Sequence, residues 1–228
     1  MKGMMLFDAH PNTDYLMSLL GMENLNERPA KMAMRRHQVL IPFVASYIFC
    51  HNSFGKDAKS HAQAIGLMNF ADYREEVMQV HGKLLSDSSY RSSLNLLEDP
   101  VLDSLWASKF PLSAAADYSK MMQEIVLDSL PKSSSALIKS ELETYYKNDY
   151  SPGRYSRVFF KSSDLGTQLN HIVYYVTNQN VRLEFCCMFN DLNPTEKKLL
   201  KQELKSLPFR LSELEEYRRE FHNAFAKL

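Results

Sequence analysis

Asp8 and His10, in Phe7-Asp8-Ala9-His10 behind the apolar Met4-Met5-Leu6, have the Asp-x-His spacing with which a two-cation hydrolytic site can begin. Such a site needs further Asp, Asn and His ligands from later loops, because each hard cation takes about six ligands. No Gly-Asp or Gly-Asn-His segment supplies them. The pair therefore reads as an N-terminal segment in which His10-Pro11 leads into a helix. The other histidines are His37, His51, His61, His81, His171 and His222. None lies three or four positions from another, so no two share a helix face as zinc ligands do.

Cys50, Cys186 and Cys187 are an odd set with no C-x-x-C spacing. They form neither a disulfide framework nor a zinc site, and they read as reduced thiols of an intracellular, cytoplasmic protein. A Cys-His pair assembled in three dimensions, such as Cys50 with an imidazole from elsewhere in the fold, stays open as the covalent alternative, that of a small enzyme whose site is built from scattered residues. The seven glycines, Gly3, Gly21, Gly55, Gly66, Gly82, Gly153 and Gly166, are too dispersed for a phosphate-cradling loop or a nucleophile elbow. The sequence thus predicts no enzyme, no metal and no cofactor.

Charge narrows the partners. Lys plus Arg number 27 and Asp plus Glu 27, so the chain lacks the net positive field that holds phosphates. A helix-turn-helix reading of Ala62 to Tyr73, with Gly66 closing one helix and Asn69 capping the next, meets the same objection. Its second helix carries Asp72, Glu75 and Glu76 against Arg74 alone. The local exception is Gly153 to Lys161, where Arg154, Arg157 and Lys161 alternate with Tyr155, Phe159 and Phe160. It resembles the aromatic RNA-stacking strand of RRM domains, although helices rather than a β-α-β unit precede it. These three basic residues are the candidate nucleic-acid contacts of an alternative reading, an accessory subunit of a nucleic-acid-handling complex.

The elements that must position these residues divide near residue 150, into a helical part and an α+β part that form either two domains or one shared core. Through residues 1–150 the signals are helical. Thr13-Asp14 opens a helix that Gly21 closes, and Pro29 starts the next. Val39 to Cys50 is an apolar run with Pro42 near its middle, shorter than the ~20 residues of a membrane span, and reads as a buried Pro-kinked helix. Asp99-Pro100 starts a helix that places Val101, Leu102, Leu105 and Trp106 on one face, Ser113 caps another, and Ser133 to Ser135 begin a third. Residues 151–228 are α+β. Tyr155 to Phe160 is strand-like, and His171 to Val176 and Val181 to Phe189 flank Thr177-Asn178-Gln179-Asn180 as a hairpin. Two helices follow, opened by capping boxes at Asn193-Pro194-Thr195-Glu196 and Ser212-Glu213-Leu214-Glu215. The fold class is α+β, predominantly α-helical, with a helical part, a small antiparallel hairpin or sheet and C-terminal helices.

The last helix has the most regular pattern. Leu214, Tyr217, Phe221, Ala224, Phe225 and Leu228 recur at three- and four-residue steps, opposite Glu215, Glu216, Arg218, Arg219 and Glu220. Such a stripe either roofs its own hairpin or docks another chain, and Tyr217, Phe221 and Phe225 are the candidate partner-binding residues. With 12 Met, 13 Phe and 12 Tyr, residue types favoured at interfaces, the chain reads as a non-catalytic accessory or adaptor subunit of a protein assembly. Its expected partners are other protein subunits, a second copy of the chain among them, with no strong nucleic-acid binding of its own and no membrane span.

Overall fold

The computed structural model describes residues 10–52, 57–127, 131–144 and 155–226. Asp8, Arg154 and Leu228 lie outside them, as does the side chain of Phe225. The fold is α+β and mostly helical, with one three-stranded antiparallel sheet. Its contacts divide the chain into two compact units, Met1–Asp117 and Tyr118–Leu228. The change of pattern near 150 falls on residues outside the description.

The first unit contains α1 (His10–Leu20), α2 (Met22–Lys31), α3 (Phe43–His51), α4 (Ala58–Leu67), α5 (Phe70–Ser86), α6 (Ser88–Ser92) and α7 (Pro100–Ser108). Gly21 separates the first two at φ +80, as only glycine does cheaply, so the expected stop at Gly21 holds. Pro29 sits in the last turns of α2 rather than at a helix start. Pro42 does not kink a longer helix. It is the N-cap of α3, and residues 39–42 precede the helix in non-helical form.

A proline cap brings no side-chain acceptor, so the first amides of α3 need one from elsewhere. Asp14 supplies it. Instead of opening its own helix, it sits buried within α1, and its carboxylate accepts from the backbone N–H of Phe43 at 2.6 Å, Val44 at 2.9 Å and Ala45 at 3.3 Å. Burial holds this carboxyl above the usual carboxylate range, against the downward pull of the three amides.

Around α3 the core is aromatic and its polar atoms are paired. The Trp106 indole N–H donates to Ser46 Oγ at 2.9 Å, and the fully buried Tyr73 hydroxyl donates to the Ser46 carbonyl at 3.3 Å. Asp99 and Asn69 cap α7 and α5 as their local sequences predict, accepting from Val101 N and Asp72 N at 2.8 and 3.0 Å. Gly66 differs. It lies inside α4, which ends at Met68 in extended backbone, and Lys109 Nζ donates to the Met68 carbonyl at 2.6 Å.

The division between the units falls within α8 (Ala115–Val126). Ser113 does not cap this helix; its buried hydroxyl has no hydrogen-bond partner among the described residues. The second unit continues with α9 (Lys132–Thr144), β1 (Tyr155–Leu165), β2 (Gln168–Thr177), β3 (Arg182–Phe189), α10 (Pro194–Glu203), α11 (Leu207–Glu213) and α12 (Glu215–Phe225). The strand order is β1-β2-β3, so the expected hairpin is the second half of a meander. Central β2 is buried on both faces from His171 to Tyr175, which explains its unbroken apolar run. Asn180, at φ +60, turns the chain from β2 into β3, a conformation asparagine tolerates better than most residues.

At α10 the predicted capping box is complete: Asn193 accepts from Thr195 N and Glu196 N, and Glu196 accepts from Asn193 N. The Ser212 box does not form. Ser212 lies inside α11 with its hydroxyl on the Phe209 carbonyl at 2.7 Å, and the chain breaks at Leu214 (φ −110, ψ 111), so three helices follow the sheet rather than two.

Replacing Asp14 with Ala should destabilise the first unit by about 2 kcal/mol, the upper end for a lost helix cap, while Asn, which keeps one acceptor oxygen, should recover part of the loss. Chemical denaturation of the two variants checks this.

Candidate functional site

The alternation of β1 to β3 gives the second unit's sheet two different faces. One carries Val158, Phe160, Val173, Tyr175, Leu183 and Phe185, packed with Tyr155 and Phe209 in one cluster. The other carries Arg157, Phe159, Tyr174 and Glu184.

On the first face, Tyr175 fixes α11. Its buried hydroxyl donates to the Pro208 carbonyl at 2.7 Å, and its ring meets Tyr155 at 5.0 Å and Phe209 at 5.2 Å. Tyr155 reaches further, donating to Glu213 at 3.1 Å, and burial pushes its phenol up to about 12. Beyond α11 the chain continues as α12. Between them lies an open groove of about 540 Å³, floored by Tyr175, Leu183 and Phe185 and walled by Leu211 and Phe221. That volume is within the range of about 300–1,000 Å³ typical of ligand sites. Arg218 and His222, one helical turn apart, stand at its rim with Ser212, whose carbonyl accepts from Arg218 at 3.3 Å.

Of the predicted partner-binding residues, the structure brings Phe221 into this groove, 6.4 Å from the Phe185 ring and half-buried. Tyr217 is half-buried outside it. Arg210 lies over its ring at 5.5 Å, donates to its hydroxyl at 3.3 Å and pairs with Glu203 at 2.9 Å. Leu214 stays 47% exposed, and α12 has no fully buried residue among those described. Sequence periodicity marked Phe221; the rest of the groove was missed as a site, because the packing of α11 and α12 beside the strands, not local spacing, brings Arg218, His222 and the strand floor together.

The basic-aromatic strand has its rings inside the fold. Phe159 and Phe160 are buried, and Tyr155 lies against Phe209 at 4.7 Å. Arg157 pairs with Glu143 at 2.5 Å and lies over the Phe159 ring at 4.7 Å, while Lys161 is half-buried. Glu184, on the same face, accepts from Ser119 at 2.5 Å and Gln123 at 2.6 Å.

The cysteines are thiols rather than thiolates at neutral pH. Burial pushes Cys50 up to about 11, Cys186 to about 11 and Cys187 to about 12. Cys50 Sγ faces the Tyr73 hydroxyl at 3.4 Å, and neighbouring His51 turns to Asp103 at 3.1 Å and the Tyr47 carbonyl at 2.9 Å. No group of three His, Cys, Asp or Glu able to hold a metal occurs among the described residues, and no described helix is long and apolar enough to cross a membrane. In comparisons with known proteins, the chain matches no family model and no curated sequence.

Removing one oxygen tests the joint. Tyr175→Phe strands the Pro208 carbonyl and should cost about 1–3 kcal/mol in denaturant unfolding. His171 gives a pH signature. Burial between Phe160 and Phe185 lowers it to about 4 from the usual 6.5, so the folded state holds it neutral while the unfolded chain takes up a proton below 6.5. Stability is therefore fully present above pH 6.5 and lost as pH falls towards 4, by up to about 3 kcal/mol. His171→Leu should flatten that part of the stability-against-pH curve.

Proposed function

We propose that the chain is a cytoplasmic, non-catalytic accessory subunit that binds another protein through α12 and the groove beneath it. The observation that carries this reading is the incomplete burial of the last helix. A helix that only roofed its own sheet would bury every large residue of its stripe. Here Tyr217 and Phe221 are half-buried and Leu214 is exposed, beside a concave apolar surface with a polar rim. Apolar anchors set in such a rim are the usual composition of a partner-binding patch. The three free cysteines, all held as thiols, agree with a reducing compartment.

The reading gives Tyr217 and Phe221 a role that folding alone does not. Tyr217→Ala and Phe221→Ala chains, expressed with a tag in the native host, should each lose a co-purifying partner by about 30-fold, equivalent to about 2 kcal/mol, with melting temperatures within a few degrees of the parent. No specific partner, or losses that track unfolding from variant to variant, would make the helix purely structural.

A further inference from the structure

The groove reaches β3 at Leu183, Glu184 and Phe185, and the register shows which backbone groups the outer edge of that strand offers. Thr177 N donates to Val181 O at 2.9 Å, and the pairs Tyr175–Leu183, Val173–Phe185 and His171–Cys187 follow in the same phase. Hydrogen-bonded and non-hydrogen-bonded pairs alternate in an antiparallel ladder. The residues of these pairs therefore direct their N–H and C=O groups towards β2, and Arg182, Glu184, Cys186 and Met188 between them direct theirs outward. β3 ends the strand order, and no further strand among the described residues pairs with it. Leu183, Glu184 and Phe185 all border the groove, although successive strand residues face opposite ways. The Glu184 carboxylate is held on the far face by Ser119 and Gln123, so Glu184 contributes its backbone.

We propose that this edge receives an extended segment of a partner protein as a fourth strand. Its backbone pairs with Glu184 and Cys186, its alternate apolar side chains enter the groove against Leu183, Phe185 and Phe221, and an acidic side chain meets Arg218 and His222. The inference rests on the adaptor reading above and specifies the form in which the partner is bound.

An unpaired strand edge is a template for another chain, with main-chain hydrogen bonds supplying affinity and pockets for alternate side chains supplying specificity. A helical ligand satisfies its own backbone and would leave the outward groups of Glu184 and Cys186 to water. The charge is also directional. Glu184 is the only carboxylate among the described residues lining the groove, and it is engaged on the other face, so the rim presented to a ligand is basic. Arg218 uses one guanidinium N–H on Ser212, and the remainder of its fork suits a carboxylate.

The test uses random twelve-residue peptides displayed in a library and selected on the full chain, with the best binder then synthesised. The expected binder alternates apolar residues and carries Asp or Glu. N-methylation of every second amide, in the phase that faces Glu184 and Cys186, should weaken it by about tenfold or more, whereas methylation in the opposite phase should change it by less than about twofold. Phe221→Ala should weaken binding by about 30-fold without unfolding, and Arg218→Ala should weaken only the acidic peptide, not its Gln or Asn counterpart. A binder anchored at helical spacing and indifferent to N-methylation, yet lost on Phe221→Ala, would overturn the strand and leave the groove as a docking site. Absence of any groove binder overturns the strand as well; the adaptor reading fails separately, on the co-purification of Tyr217 and Phe221 variants. A concentration-dependent dimer built across Glu184 and Cys186 would assign the edge to a second copy and overturn the partner segment.

Discussion

The candidate site depends on one hydrogen bond made in the dark of the sheet, from the Tyr175 hydroxyl to the Pro208 carbonyl. Proline has no N–H of its own and fixes its φ, so holding its carbonyl sets where α11 begins. The ring of the same tyrosine packs with Tyr155 and Phe209, and these contacts hold α11 against the strands. Past that anchor α11 ends at Glu213, the backbone extends at Leu214, and α12 begins at Glu215 with none of its described residues fully buried. The groove is the space that the break at Leu214 creates.

Asp14 plays the corresponding part in the first unit. Both joints use a polar atom inside an apolar setting to satisfy a main-chain group that cannot be satisfied locally: the amides behind Pro42, and the carbonyl of Pro208. Losing either leaves a buried group unpaired, which costs more than the bond itself contributes. Asp14 and Tyr175 are therefore sensitive positions in their respective units, whereas α12 has no fully buried residue among those described.

Much of the fold was legible where its cause was local. Asn193-Pro194-Thr195-Glu196, Asp99-Pro100 and Asn69 each carry cap, spacing and first-turn chemistry within four residues, and each caps its helix as read. The Ser212 box has the same letters and fails, because α11 is placed by Tyr175 from a distant strand and Ser212 falls inside it. Asp14 looked like a helix opener and caps a helix whose first residue, Phe43, lies 29 positions away. Of the site, the 3.6-residue period disclosed Phe221 and Tyr217, but β3's outer edge depends on strand order, and Arg218 looked like one more charge on a solvated face.

Backbone amide hydrogen exchange on the isolated chain, repeated with its co-purified partner, tests the central claim most directly. If the last helix and the β3 edge are kept for a partner, the amides of α12 should exchange in the isolated chain at low opening free energy, about 0–2 kcal/mol, while Ile172 to Tyr175 exchange only on global unfolding. The α12 amides and those of Glu184 and Cys186 should then gain protection in the complex. Amides of α12 as protected in the isolated chain as those of β2, or unchanged by the partner, would contradict the account.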